Sequence, residues 1–173
     1  MIFSYPTEWP QFFTASIYKW HPLLSTDKYK EIIVQSLQFL VHNKRIELNA
    51  FVIMSNHIHL IWQPLAGHTL TSVQHSFMKF TAQRIKFVLA IENPSLLARC
   101  QVHKIDREYQ IWKREPLSIE LSSEKVFFQK LEYIHYNPVK GGICSFPGEY
   151  RFSSAKFYET GVDDFNMLTH YMG

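Results

Sequence analysis

The chain has 173 residues, 46% of them hydrophobic and 19% charged, which allows one full hydrophobic core and excludes a disordered or fibrous protein. Its 18 Lys and Arg against 15 Asp and Glu leave a net charge of +3, compatible with a nucleic-acid partner without demanding one. Two cysteines, Cys100 and Cys144, with no CxxC spacing, exclude a disulfide scaffold and a cysteine-type zinc site and suit a reducing cytoplasm. Met1-Ile2-Phe3-Ser4-Tyr5-Pro6 lacks the basic start and long apolar run of a signal peptide. No apolar run approaches the ~20 residues of a membrane span. The expectation is a single cytoplasmic domain over residues 1–173, with no repeat or linker.

In chain order, Phe12 to Trp20 mixes aromatic and β-branched residues and predicts a first strand, stopped by His21-Pro22. Ser25-Thr26-Asp27 offers caps for a helix whose stripe is Tyr29, Ile33, Leu37, Leu40 and Val41, ending near His42-Asn43. Ile46 to Met54 predicts a second strand. Ser55-Asn56 is a turn, and a third strand ends at Gln63-Pro64. Thr69 to Ser72 caps a second helix running to about Glu92, with Val73, Phe77, Phe80 and Leu89 toward one side. Residues 94–107 read as loop, Tyr109 to Glu115 as a fourth strand, and Ser118 to Leu121 as an extension of the sheet. Ser122-Ser123-Glu124 starts a third helix to about Asn137, where Pro138 opposes continuation. From Gly141 the chain is irregular and aromatic. The order predicts an α+β fold: a ferredoxin-like or RRM-like antiparallel sheet with helices packed on one face.

The chemistry concentrates in the hairpin. His57 and His59 are two residues apart, so in a strand both imidazoles share one face while Ile58 and Leu60 share the other. A lone strand histidine is most often merely half-exposed; a parallel pair is a candidate pair of metal ligands. On the third helix, Phe127, Leu131 and Ile134 form the apolar stripe, and Tyr133 and Asn137 sit one turn apart on its flank. Asn137 offers an amide oxygen and Tyr133 a phenol. From spacing alone, Tyr133 reads equally as an amphipathic cover of the core. Tyr136 points well around the helix from Asn137.

Val52-Ile53-Met54-Ser55-Asn56-His57-Ile58-His59-Leu60, followed far downstream by Tyr133-Ile134-His135-Tyr136-Asn137-Pro138-Val139-Lys140-Gly141-Gly142-Ile143, resembles the single-tyrosine HUH transposases. It is most similar to their REP-associated branch, whose Tyr-Ile-His-x-Asn-Pro-Val signature the second block matches. Phe77 to Ala82, Ile111 to Arg114 and Tyr150 to Ser154 fit in the same order, so the resemblance covers most of the chain. It implies an HUH motif on a central strand and a nucleophilic tyrosine on a C-terminal helix. By position, His57, His59 and Asn137 would bind one divalent ion, magnesium or manganese, and Tyr133 would be the nucleophile. Asn137 stands where insertion-sequence relatives carry Gln.

The implied activity is a metal-dependent DNA strand transferase that cleaves and rejoins single-stranded hairpin or palindromic ends through a 5′-phosphotyrosine intermediate. The wider family works as homodimers that exchange the tyrosine helix, whereas REP-associated members also act as monomers. Lys79, Arg84, Lys86, Lys113, Arg114, Lys140 and Arg151 are candidate backbone contacts. Lys79, Gln83 and Lys86 form a stripe that reads equally as a solvated helix face. Trp62, Trp112 and Phe152 are candidate stacking residues, with core packing the plainer reading. His68 and His135 read as surface or structural. Two rivals remain at this stage: a phosphohydrolase using water at the same site, and a non-catalytic nucleic-acid-binding domain.

Overall fold

The computed structural model describes residues 9–173; the opening Met1–Pro6 segment considered above lies outside them. In chain order the elements are β1 (Gln11–Ser16), α1 (Asp27–His42), β2 (Ile46–Ile53) and β3 (His57–Pro64). Then come α2 (Leu70–Glu92), α3 (Pro94–Ala98), β4 (Gln101–Lys104), β5 (Arg107–Tyr109), β6 (Leu117–Glu120), α4 (Glu124–Lys140) and α5 (Ala155–Thr160). Strands β2, β3, β1 and β6 lie side by side in that order, every pair antiparallel. This is the expected ferredoxin-like plan, with α1 and α2 as its crossovers. Strands β4 and β5 form a separate hairpin.

Alternation sorts each strand's side chains between two cores. Phe13, Ala15, Ile17, Ile58, Leu60 and Trp62 meet the stripes of α1 and α2. Phe12, Val52, Met54 and Ile61 face the other way, onto Phe127, Leu131 and Ile134 of α4. A register shift between Leu48 and Ala50 lets Leu48 share a face with Phe51, three residues on, which strict alternation would forbid. Helix α4 thus lies across the sheet from α1 and α2, and covers the face that carries the two histidines.

Local signals place most boundaries. The hydroxyls of Thr69 and Ser123 accept from the backbone N–H three residues on and cap α2 and α4. Strand β1 stops at Ser16, short of the predicted Trp20, because Lys19 and Trp20 adopt positive φ of 52° and 57°. A left-handed non-glycine residue costs roughly 1–2 kcal/mol. Backbone bonds hold the loop there: Ile17 N to Asn56 O at 2.8 Å, Tyr18 N to Ile111 O at 2.8 Å and Trp20 N to Ile17 O at 2.9 Å.

The predicted loop at 94–107 contains α3 and most of the β4–β5 hairpin. Asn93 caps Leu96 N while Pro94 takes the first turn, where its missing N–H costs nothing. The predicted strand at 109–115 is reduced to the end of β5 and one isolated bridge, Trp112 to Ile17. Ile111 and Trp112 are both buried although outside any named strand. The sheet's fourth strand is β6, which overlaps the stretch 118–121 expected to extend it. Phe80 is exposed, and Thr81 takes its place on the buried side of α2, accepting from Trp112 Nε1 at 2.9 Å. Helix α4 runs through Pro138 to Lys140, three residues past its expected end. Proline deletes one rung, and the helix closes beyond it with Gly141 N to Asn137 O and Ile143 N to Pro138 O, both at 3.0 Å.

Residues 152–154 run along the outer edge of β2. Ile53 N donates to Phe152 O at 2.9 Å and Ser154 N to Phe51 O at 3.0 Å. Further along, Thr169 N reaches Leu48 O at 2.9 Å. Among the described residues no helix is long and apolar enough to cross a membrane.

Candidate active site

Strand β3 leaves the Ser55-Asn56 turn and sets the rings of His57 and His59 on the α4 face, centroids 4.9 Å apart. His57 is half-buried and His59 is 4% exposed. Each ring is oriented through Nδ1. Asn56 Oδ1 lies 2.8 Å from Nδ1 of His57, and Thr14 Oγ1 lies 2.7 Å from Nδ1 of His59. Thr14 reaches it because the antiparallel register puts it directly opposite His59 on β1. Phe12 stacks on His59 at 5.4 Å and 16°.

The Nε2 atoms are the chemically informative ones. Asn56 Oδ1 can only accept, so Nδ1 of His57 carries the proton and Nε2 of the neutral ring presents a lone pair. That lone pair faces Asn137 Oδ1, another acceptor, at 3.2 Å. Two acceptors at this distance repel unless a positive charge lies between them. Burial lowers the His57 pKa, with the Asn137 contact pushing back, so the neutral ring is favoured. Nε2 of His59 is buried with no hydrogen-bond partner among the described residues. Its pKa falls to about 3, first through burial and then through repulsion from His57 and Lys130. Two imidazole nitrogens and an amide oxygen form a donor set that suits a divalent cation.

Helix α4 brings Tyr133 beside this set from one turn before Asn137. Its ring centroid lies 5.1 Å from His59 and 6.0 Å from Phe12, and the residue is 41% exposed. Lys130 Nζ and Lys140 Nζ lie 5.8 and 5.7 Å from the same ring. Tyr136 is exposed and makes none of these ring contacts. His135 turns into the core, where burial pushes its pKa down to about 4. There its Nε2 lies 2.8 Å from Ser154 Oγ, tying α4 to the C-terminal segment. His68 lies beyond the opposite end of β3.

Of the candidate backbone contacts, Lys79, Lys113 and Arg114 line one cleft of about 790 Å³ between α2 and residues 106–116, together with Arg107. Lys86 lines a neighbouring cleft and Arg84 stacks on Phe87. Lys140 is at the tyrosine. Arg151 is placed elsewhere, paired with Glu31 at 2.8 Å and stacked on Phe152 and Phe165. Trp62, Trp112 and Phe152 are buried in the core.

Five residues at this site carried no functional reading in the sequence: Phe12, Thr14, Asn56, Lys130 and Trp20, whose ring lies 6.5 Å from that of His57. Asn56 adjoins His57 and Lys130 precedes Tyr133 by one helical turn, so both carried a local signal. Phe12, Thr14 and Trp20 arrive only through strand register and a loop conformation.

No family model matches the chain, and no curated protein matches it. Among solved structures it is similar to a REP-associated tyrosine transposase bound to a REP hairpin, with a TM-score of 0.64 at 18% identity. That match covers 98% of this chain and 91% of the other. A second, a candidate transposase from Deinococcus radiodurans R1, has a TM-score of 0.49 at 15% identity over 78% of this chain and 95% of that one. The fold of this chain is therefore that of the REP-associated tyrosine transposase.

Proposed function

We propose that the chain is a metal-dependent, single-tyrosine HUH transposase, with Tyr133 as nucleophile and His57, His59 and Asn137 as metal ligands. The observation that carries this is the pairing of His57 Nε2 with Asn137 Oδ1 at 3.2 Å beside the ring of His59, whose Nε2 is buried without a partner among the described residues, with the Tyr133 ring 5.1 Å from His59. A divalent cation bound there, magnesium or manganese, would polarise the scissile phosphate and offset charge at it.

In this reading the Tyr133 oxygen attacks phosphorus in line, the P–O3′ bond breaks, and the tyrosine is left joined to the 5′-phosphate. The phenolic proton passes to solvent and the departing 3′-oxygen takes one up. The phosphodiester bond energy is kept in the covalent link, so a second 3′-hydroxyl can reverse the step and rejoin strands. A hydrolase activating water needs no tyrosine at this position. Lys130 and Lys140 flank the ring and would attract the phosphate backbone. The fold neighbour is bound to a REP hairpin, and single-stranded DNA with hairpin or palindromic ends is the proposed substrate of this chain.

The test is incubation with labelled hairpin DNA and manganese, followed by a denaturing protein gel. Label should stay with the wild-type chain, vanish with Tyr133→Phe or on chelation, and persist with Tyr136→Phe. Cut DNA without an adduct would transfer the site to a water-using hydrolase. Metal-independent binding without cutting would make the chain a binding domain.

A further inference from the structure

The loop between β1 and α1 carries a feature to which the proposed reaction gives no role. Trp20 is 55% exposed and is the second of two consecutive non-glycine residues at positive φ. An indole left in water on a left-handed backbone is doubly unfavourable, and such features gather where a ligand is handled.

The ring stands beside the candidate site: it meets His57 edge to face at 6.5 Å, and Lys113 Nζ lies 6.0 Å from its centroid. Nor is the loop loosely held. Ile17 N bonds to Asn56 O of the histidine hairpin at 2.8 Å. On the other side Lys113 N bonds to Ser16 O at 2.7 Å, and Tyr18 N to Ile111 O at 2.8 Å. Asn56, which orients His57, also reaches Trp20 O through Nδ2 at 3.5 Å. The backbone that carries the indole is thus fixed relative to the histidine hairpin and to the basic cleft that Lys113 lines.

An exposed aromatic face on a firmly held backbone, with a cation beside it, has the make-up of a platform for unpaired bases. We propose that Trp20 stacks on one unpaired base of a single-stranded nucleic acid next to the phosphate held at His57 and Tyr133, with Lys113 contacting an adjoining phosphate. The proposal rests on the reading given under Proposed function. Every base has a π-face, so Trp20 sets the position of the strand and not its sequence. It joins the site to the cleft between α2 and residues 106–116, giving the strand a continuous path.

The experiment uses the full chain carrying Tyr133→Phe, in EDTA, so that neither cutting nor metal contributes. The probe is a fluorescein-labelled DNA hairpin with mixed-sequence single-stranded extensions, in which one abasic site is walked along each extension. With Trp20 present, one position of the walk should weaken binding about tenfold or more, the range of a lost stacking contact. Trp20→Asn should erase that penalty and Trp20→Phe should largely keep it. Asn tolerates the left-handed backbone, so the loop should keep its shape in that variant. A walk with no sensitive position, an equal penalty in Trp20→Asn, or no binding of the intact hairpin would overturn the platform. The adduct assay separates this from the reaction. A wild-type chain that forms no adduct yet keeps the Trp20-dependent position loses strand transfer and retains the platform. Adduct formation with a flat walk gives the reverse.

Discussion

The two faces of the central sheet are built from alternate residues of the same strands, yet they are finished differently. On one face two helices, α1 and α2, close over Phe13, Leu60 and Trp62, with Phe77 wedged against Phe13 and Trp62 at 6.4 and 5.4 Å. On the other, α4 is the long helix over Phe12, Val52 and Ile61, and at the hairpin end the apolar contacts give way to Thr14, His57, His59 and Asn137. Complete closure yields stability and little else. Incomplete closure leaves a rim where polar atoms are desolvated, oriented from behind and still open to a ligand. One strand, β3, serves both ends of this bargain: its odd positions, 57 and 59, carry candidate chemistry while Ile58 and Leu60 anchor it.

The comparison is broken most severely from the closed side. Phe13→Ala empties a fully buried ring site and should cost about 3–5 kcal/mol, read as a lowered denaturant midpoint. Adduct formation in the fraction still folded should stay near wild type; a specific loss there would mean that the faces are not separable. One residue along β1, Thr14→Val keeps the volume but removes the oxygen that orients His59. Manganese affinity by calorimetry should drop about 10–100-fold with the midpoint hardly moved, and an unchanged affinity would dismiss the three-donor site.

A smaller effect is expected at Ser154→Ala. It strips partners from both His135 Nε2 and Phe51 N, buried groups whose abandonment costs roughly 1–3 kcal/mol. Thermal melts should show it with no change in metal affinity. The smallest effect is a shift in the alkaline limb of stability. Burial raises the phenols of Tyr150 and Tyr158 to about 12, and each donates to a carbonyl of β2: Ile53 O at 2.6 Å and Asn49 O at 2.9 Å. In the unfolded chain they ionise near the ordinary value of about 10. Unfolding therefore releases protons, so their contribution is whole below pH ~10 and is lost as pH climbs toward the folded-state value. Tyr150→Phe should flatten that fall in pH-dependent melts; an equally steep limb would assign it to other groups.

Much of this arrangement was legible in the residues themselves. The alternation around His57-Ile58-His59 gave both the strand and the facing of its rings, and the Thr69 and Ser123 caps gave the starts of α2 and α4. The spacing of Tyr133 and Asn137 gave their shared flank. What escaped has physical causes. Lys19 and Trp20 hold left-handed backbone by tertiary hydrogen bonds, without the Gly or Asn that would announce it. Pro138 normally ends a helix, but here the carbonyl of Asn137 itself and the bonds beyond carry α4 onward. Asn93-Pro94 was a readable cap that the surrounding lack of period obscured. Thr14 opposite His59 is a matter of register, which no single strand encodes. The cleft between α2 and residues 106–116 joins segments far apart in the chain.

The edge of β2 has a consequence for how the chain is made. Its outward N–H and C=O groups find their partners in residues 152–154 and at Thr169, which leave the ribosome well after β2 itself. Until then a strand of eight mostly buried residues presents an unpaired edge, the kind of template on which nascent chains join one another. Yield in the cell should thus depend on how quickly residues 152–169 arrive and dock. A translation product stalled before these residues should collect in inclusion bodies, since it also lacks Phe152, Phe165 and Met167 of the larger core.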